Sequence, residues 1–172
     1  MFLKNYTSSV PISQTIARIE QVLIKCGVSG IMKDYGPTGQ VTAVTFQIKL
    51  EGTTPWTIRL PANVQKAWDA LWLNYADGDT LTADKTRLAY SSRKTKCKMD
   101  FREQAERTAW KVVQDWIEVQ LSMIQMQQAD FREVFLPYVW DGTRSYYQSL
   151  LESGFRAMLP EKSSADYETT RP

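Results

Sequence analysis

The stretch VTAVTFQIKL, residues 41–50, decides how the rest of the chain is read. Its side chains alternate strictly: Val44, Phe46, Ile48 and Leu50 fall on one side, and Thr45, Gln47 and Lys49 on the other. Such alternation is the pattern of a strand with one buried and one solvated face. Outward from it, GPTGQ (36–40) supplies Pro and Gly turn chemistry, and GIMKDYG before it reads as a short strand. On the other side EGTTP turns the chain, and WTIRL alternates again with Trp56, Ile58 and Leu60 inward. The spacing predicts a three-stranded antiparallel meander with one apolar face.

Helical patterns flank the meander. In VPISQTIARIEQVLIKCG, residues Ile12, Ile16, Ile19, Val22, Leu23 and Cys26 recur at helical spacing. Ser9 or Ser13 is available to cap the start, and Gly27 to stop the helix. After Pro61, the residues Val64, Ala67, Trp68, Leu71, Trp72 and Tyr75 outline a second amphipathic helix. Helix–strand–strand–strand–helix suggests two helices covering one face of the sheet. The tetrapeptide Asp-Phe-Arg-Glu occurs at 100–103 and again at 130–133. Each has the acid-x-x-Glu form that opens a helix. The first of these helices is expected to run to about Gln127; Pro137 shortens the second. A turn at 141–143 precedes a last helix ending near Gly154. The expected fold is α+β: a small three-stranded antiparallel sheet backed by helices, with a helical C-terminal half. It forms one domain over residues 1–159, with a basic insertion at 76–99 and a disordered tail at 160–172.

The helix RTAWKVVQDWIEVQLSMIQ (107–125) is apolar over roughly 220° of arc at ~100° per residue. That width implies a helix central to the fold, packed on the first two helices, or one that also buries a stripe in a homodimer through residues 101–127. Trp110 and Trp116 read as core. Gln120 falls mid-arc, where an unpaired amide costs about 1–3 kcal/mol. It is expected to bond a backbone group at a neighbouring helix end, or else to line a cleft or interface.

The chain of 172 residues carries 21 Lys and Arg against 19 Asp and Glu, and no histidine. The lack of histidine excludes Ser-His-Asp and Cys-His nucleophilic catalysis and every His-containing metal site. Cys26 and Cys97 lack metal-ligand spacing and read as reduced thiols. MFLKNYTSSVPIS lacks the apolar centre of a secretory leader, and no run of ~18 apolar residues suggests a membrane partner. The expected location is therefore cytoplasmic. No Gly-rich phosphate loop or GxSxG is present. No residue set reads as catalytic, and no metal or cofactor is expected.

Charge is unevenly spread. Between Lys85 and Lys98 lie Lys85, Arg87, Arg93, Lys94, Lys96 and Lys98 with no acid among them. A basic loop of this kind, with Lys49 and Arg59 extending the track over the polar sheet face, suits phosphate contacts. The plainer reading is a solvated loop. One enzymatic pattern competes. Metal-dependent nucleases of the restriction-endonuclease-like class share this element order, with an acid on one strand and acid-x-Lys on the next. Here Asp34 and Gln47-Ile48-Lys49 take those places, Glu20 could add a ligand, and Gln47 substitutes an amide for the second acid.

Several stretches together resemble a family of uncharacterised bacteriophage and prophage proteins. They are VPISQTIARIEQVLIKCGVSGIMKDYG, AVTFQI, WTIRLPANV and, most specifically, AERTAWKVVQDWIEVQLSMI with EVFLPYVWDGTRSYYQSL. The resemblance implies a phage setting and brings no established activity, cofactor or site residue. The resulting expectation is a phage accessory protein, active in the host cytoplasm, that binds single-stranded DNA in replication or recombination. The alternatives are a protein-binding inhibitor of a host defence system, acting through the VFLPYVW segment or the long helix, and the nuclease.

Overall fold

The computed structural model describes residues 3–50, 54–76 and 97–154. Of the basic segment, Lys85, Arg87, Arg93, Lys94 and Lys96 lie outside the described residues, as does the tail 160–172. The expected meander is present as β1 (Gly30–Tyr35), β2 (Val41–Ile48) and β3 (Trp56–Pro61), antiparallel in the order β1-β2-β3. Val44, Phe46 and Ile48 of β2 are buried with Ile58 and Leu60 of β3, as the alternation requires. Antiparallel register sets Phe46 opposite Ile58 and Val44 opposite Leu60, so the apolar side chains of both strands share one face.

The opposite face is less solvated than alternation implies. Ala43 and Thr45 are also buried. Arg59 stands opposite Thr45, and Asp34 of β1 stands opposite Ala43. The Arg59 Nε donates to Asp34 Oδ2 at 2.8 Å, so this ion pair runs diagonally over the central strand and covers its two small side chains.

Five α-helices complete the described residues: α1 (Ile12–Lys25), α2 (Val64–Ala76), α3 (Arg102–Gln125), α4 (Phe131–Phe135) and α5 (Tyr146–Glu152). The expected division of labour among them needs correction. α1 lays Ile16, Ile19 and Leu23 on the sheet, but its partner there is α3, through Trp110 and Ile117. α2 instead forms a second core with the beginning of α3. Ala67 and Leu71 meet Phe101, Ala105 and Ala109, where alanines let two helix backbones approach closely. α3 therefore serves both cores, which accounts for most of its broad apolar arc.

Helix ends follow local chemistry. Gly27 ends α1 at φ +79°, a conformation that costs a residue with a Cβ more. Pro11, rather than Ser9 or Ser13, occupies the position before α1, with no side-chain cap. Asp130 caps α4 as expected, accepting from the Arg132 N–H at 2.7 Å. Asp100 does not cap α3. A 3-10 turn, Lys98–Phe101, intervenes, and Asp100 reaches back to accept from the Cys97 N–H at 2.7 Å. The turn advances the helix start past the acid, so the same tetrapeptide plays two roles.

The N-terminal residues form a strap along α3. Gln104 Nε2 donates to the carbonyls of Tyr6 (2.7 Å) and Ser8 (3.0 Å), and the fully buried Thr108 donates its hydroxyl to the Asn5 carbonyl. Asp115 accepts from Asn5 Nδ2 and the Lys4 ammonium, each at 2.9 Å. Burial pushes the Asp115 carboxyl up, but hydrogen bonds from Asn5, Lys4 and Lys111 outweigh it and hold the group at about 2.

The orientation of α3 can be checked by substitution. Ile117→Ala should destabilise by about 2–5 kcal/mol. Val119→Ala, two residues on but 52% exposed, should cost less than about 1 kcal/mol; urea denaturation midpoints check both. The strap has a pH signature. A depressed folded-state pKa stabilises above the unfolded value and is lost as pH falls through the folded one. The Asp115 contribution, about 1 kcal/mol after solvent screening, should therefore be full above about pH 4 and vanish toward about pH 2. Asp115→Asn should lower stability at neutral pH and flatten that acid limb of the stability–pH curve.

Candidate functional site

α2 has 13 residues and α3 has 24, about 20 Å against about 36 Å at 1.5 Å per residue. Beyond Ala109, α2 no longer covers the stripe of α3 that faces it. A cleft of about 540 Å³ opens there, between the C-terminal half of α3, the end of β3 and residues 134–148. Trp116 and Gln120 project from α3, and Arg59 and Pro61 contribute from β3. The far wall is Val134, Pro137, Tyr138 and Trp140, continued by Ser145, Tyr147 and Gln148.

The wall is held in place by identifiable contacts. Trp116 packs its ring 5.6 Å from Phe135 and 5.1 Å from Tyr138, while Phe135 is fully buried against Phe46. Val139 pairs with Ile58, and the Trp140 N–H donates to the Thr57 carbonyl at 2.8 Å, so residues 139–140 extend the β3 edge. That placement sets Trp140 on the polar sheet face, 4.8 Å from the Arg59 guanidinium. Asp141 fixes the turn that follows. Its carboxylate accepts from the Arg144 and Thr143 N–H groups and the Thr143 hydroxyl, which hold it down at about 2. Ser145 caps α5 in reciprocal bonds with Gln148, so that amide already has a partner.

Gln120 has none among the described residues. It is half-buried and lines the cleft, which is the second of the two placements its position in the sequence allowed. The buried amide of α3 is instead Gln114, which accepts from Lys111 Nζ at 3.1 Å and donates to Glu118 at 3.0 Å. Periodicity alone does not single out Gln114, because it weights the whole apolar arc equally. Val119 and Met126 are in fact more than half exposed. The inward direction is rotated toward Trp110, Gln114 and Ile117.

The cations named from sequence have different fates. Lys98 Nζ contacts Asp69 at 2.5 Å and lies 5.0 Å from the Trp68 ring. It precedes α3, whose start at Arg102 lies about 27 Å from Gln120 along the helix axis. Arg59 is bound to Asp34 and stacked on Trp140. Lys49 follows β2 and is exposed. Arg59 and Lys98 are thus each neutralised by a carboxylate, and the described residues do not join Lys49, Arg59 and Lys98 into one free basic track.

The nuclease constellation is divided. Asp34 shares a face with Thr45 and Gln47, whereas Lys33, in register with buried Val44, points to the helix-covered side. Glu20 bonds Lys33 at 2.8 Å on that covered side. Asp34 and Glu20 are separated by the sheet and each holds a cation, so they do not converge on one metal ion. Gln47 adds no charge and donates to Thr57. Among the described residues no group of three acids, cysteines or histidines converges. Thermal melts with and without millimolar Mn²⁺ should coincide. A rise in Tm with Mn²⁺ that Asp34→Ala abolishes would restore the metal-site reading.

Comparison with protein-family models, with curated proteins and with solved structures finds no match to this chain.

Proposed function

We propose that this protein binds single-stranded nucleic acid without cutting it, as a phage accessory protein in replication or recombination. The observation that carries this reading is the cleft. Trp116, Tyr138, Trp140 and Tyr147 line a single opening at the end of the sheet. Stacking of an unpaired base on such a ring contributes about 1–3 kcal/mol and tolerates any base. Phosphate contacts come from the basic segment Lys85, Arg87, Arg93, Lys94 and Lys96 and from exposed Lys49. Arg59 takes a different part from the one its charge suggests: bound to Asp34, it seats Trp140 rather than a phosphate.

A second reading is a protein partner, such as a component of a host defence system. Tyr147 and Leu151, one turn apart on α5, are each about half exposed and form an apolar strip beside the cleft. Such a strip suits a protein surface as well as a base.

Fluorescence anisotropy with a labelled single strand separates the two. The nucleic-acid reading expects binding at low salt that weakens steeply as salt rises. Trp140→Ala should cost about tenfold or more in affinity. Absence of binding to any single strand at low salt overturns it.

A further inference from the structure

We infer that the cleft is a pocket for one unstacked nucleobase and that the Gln120 carboxamide reads its hydrogen-bonding edge. This inference rests on the nucleic-acid reading and names the group that the cleft itself would hold.

The lining decides against other parts of a nucleotide. Among the described residues it contains no carboxylate, and its one cation, Arg59, is bound to Asp34 at 2.8 Å. A phosphate would enter a site with no free positive charge and lose its hydration without return. A neutral planar ring loses little and gains stacking on Trp116, Tyr138 or Trp140. The volume of about 540 Å³ lies within the ordinary range for small-molecule pockets.

Gln120 supplies what a purely apolar groove lacks. It projects from a rigid 24-residue helix whose inner face is locked in the core by Trp110 and Ile117. Among the described residues its amide has no partner, while the oxygen of the other lining amide, Gln148, already accepts from the Ser145 N–H. A carboxamide offers one acceptor beside one donor. Each of the four bases presents a donor next to an acceptor on its Watson–Crick edge, and that edge is free in a single strand. By turning its amide over, Gln120 can pair with any of them. The pocket is therefore base-dependent but tolerant of sequence.

Replacing the amide by a carboxylate breaks that tolerance in a defined direction. The Gln120→Glu side chain only accepts, and guanine is the base whose Watson–Crick edge presents two adjacent N–H donors. Adenine and cytosine would set a lone pair against the carboxylate.

The experiment uses the full chain and three labelled strands of equal length: a GT repeat, an AC repeat and a strand of abasic sugar-phosphates. Wild type should bind the two repeats within about twofold of each other and the abasic strand at least about tenfold more weakly. Gln120→Leu should weaken both repeats about fivefold to tenfold and leave abasic binding unchanged. Gln120→Glu should favour the GT repeat over the AC repeat by about fivefold or more relative to wild type. Unchanged affinities in both Gln120 variants, with Trp140→Ala still weakening the repeats, overturn the role of Gln120 while the nucleic-acid reading stands. Equal wild-type affinity for abasic and base-bearing strands overturns the base pocket. No binding to any strand overturns both and leaves the cleft to a protein segment.

Discussion

The fold depends on one helix burying two stripes at once. On one side α3 presents Trp110 and Ile117 to α1 and the sheet; on the other it presents Ala105 and Ala109 to α2. Neither the three strands nor the two earlier helices make a closed core without it. A three-stranded sheet has a single apolar face to cover, and α1 covers only part of it. α3 completes that layer and carries a second on its back. The N-terminal strap bonds to the same helix, so the chain's beginning, middle and later half converge on residues 104–117.

From this comes the mismatch that makes the cleft. A helix that must reach both the strap and residues 131–140 is longer than the partner packed on its back. The remainder of the stripe is finished by short pieces: a five-residue helix, a 3-10 turn containing Pro137, and a two-residue pairing at the edge of β3. Short pieces do not fill a groove as a helix does. They leave aromatic side chains as walls and one amide without a protein partner among the described residues.

The sheet was readable from residues 41–60 because alternation with period two is a direct signature of a half-buried strand. The long helix and the stops at Gly27 and Pro137 were equally plain. What alternation did not convey was the diagonal pair between Arg59 and Asp34, which needs both strand registers before it can be seen. Periodicity gave the width of α3's apolar arc but not which part of it faces inward, so it did not tell the buried Gln114 from Gln120 at the cleft. The identical tetrapeptides also parted ways, since the 3-10 turn that takes up the first half of one of them is held at long range by burial of Phe101 and by the Trp68 Nε1–H bond to the Lys98 carbonyl. The cleft was hidden for the same reason: its walls come from β3, α3 and residues 134–148, which no local pattern connects. Of the aromatic residues in the VFLPYVW segment, Tyr138 and Trp140 line it, while Phe135 is core.

The two margins of the sheet are treated differently. At β3, Val139 and Trp140 occupy part of the outer margin. At β1 no further strand is paired among the described residues. That strand is six residues long, carries Lys33 and Asp34 in its second half, and breaks register between Asp34 and Tyr35. Brevity, charge and an irregular ladder all discourage a stray extended peptide from adding there. Among the described residues, chemistry rather than a covering segment thereby keeps this border from acting as a template for aggregation.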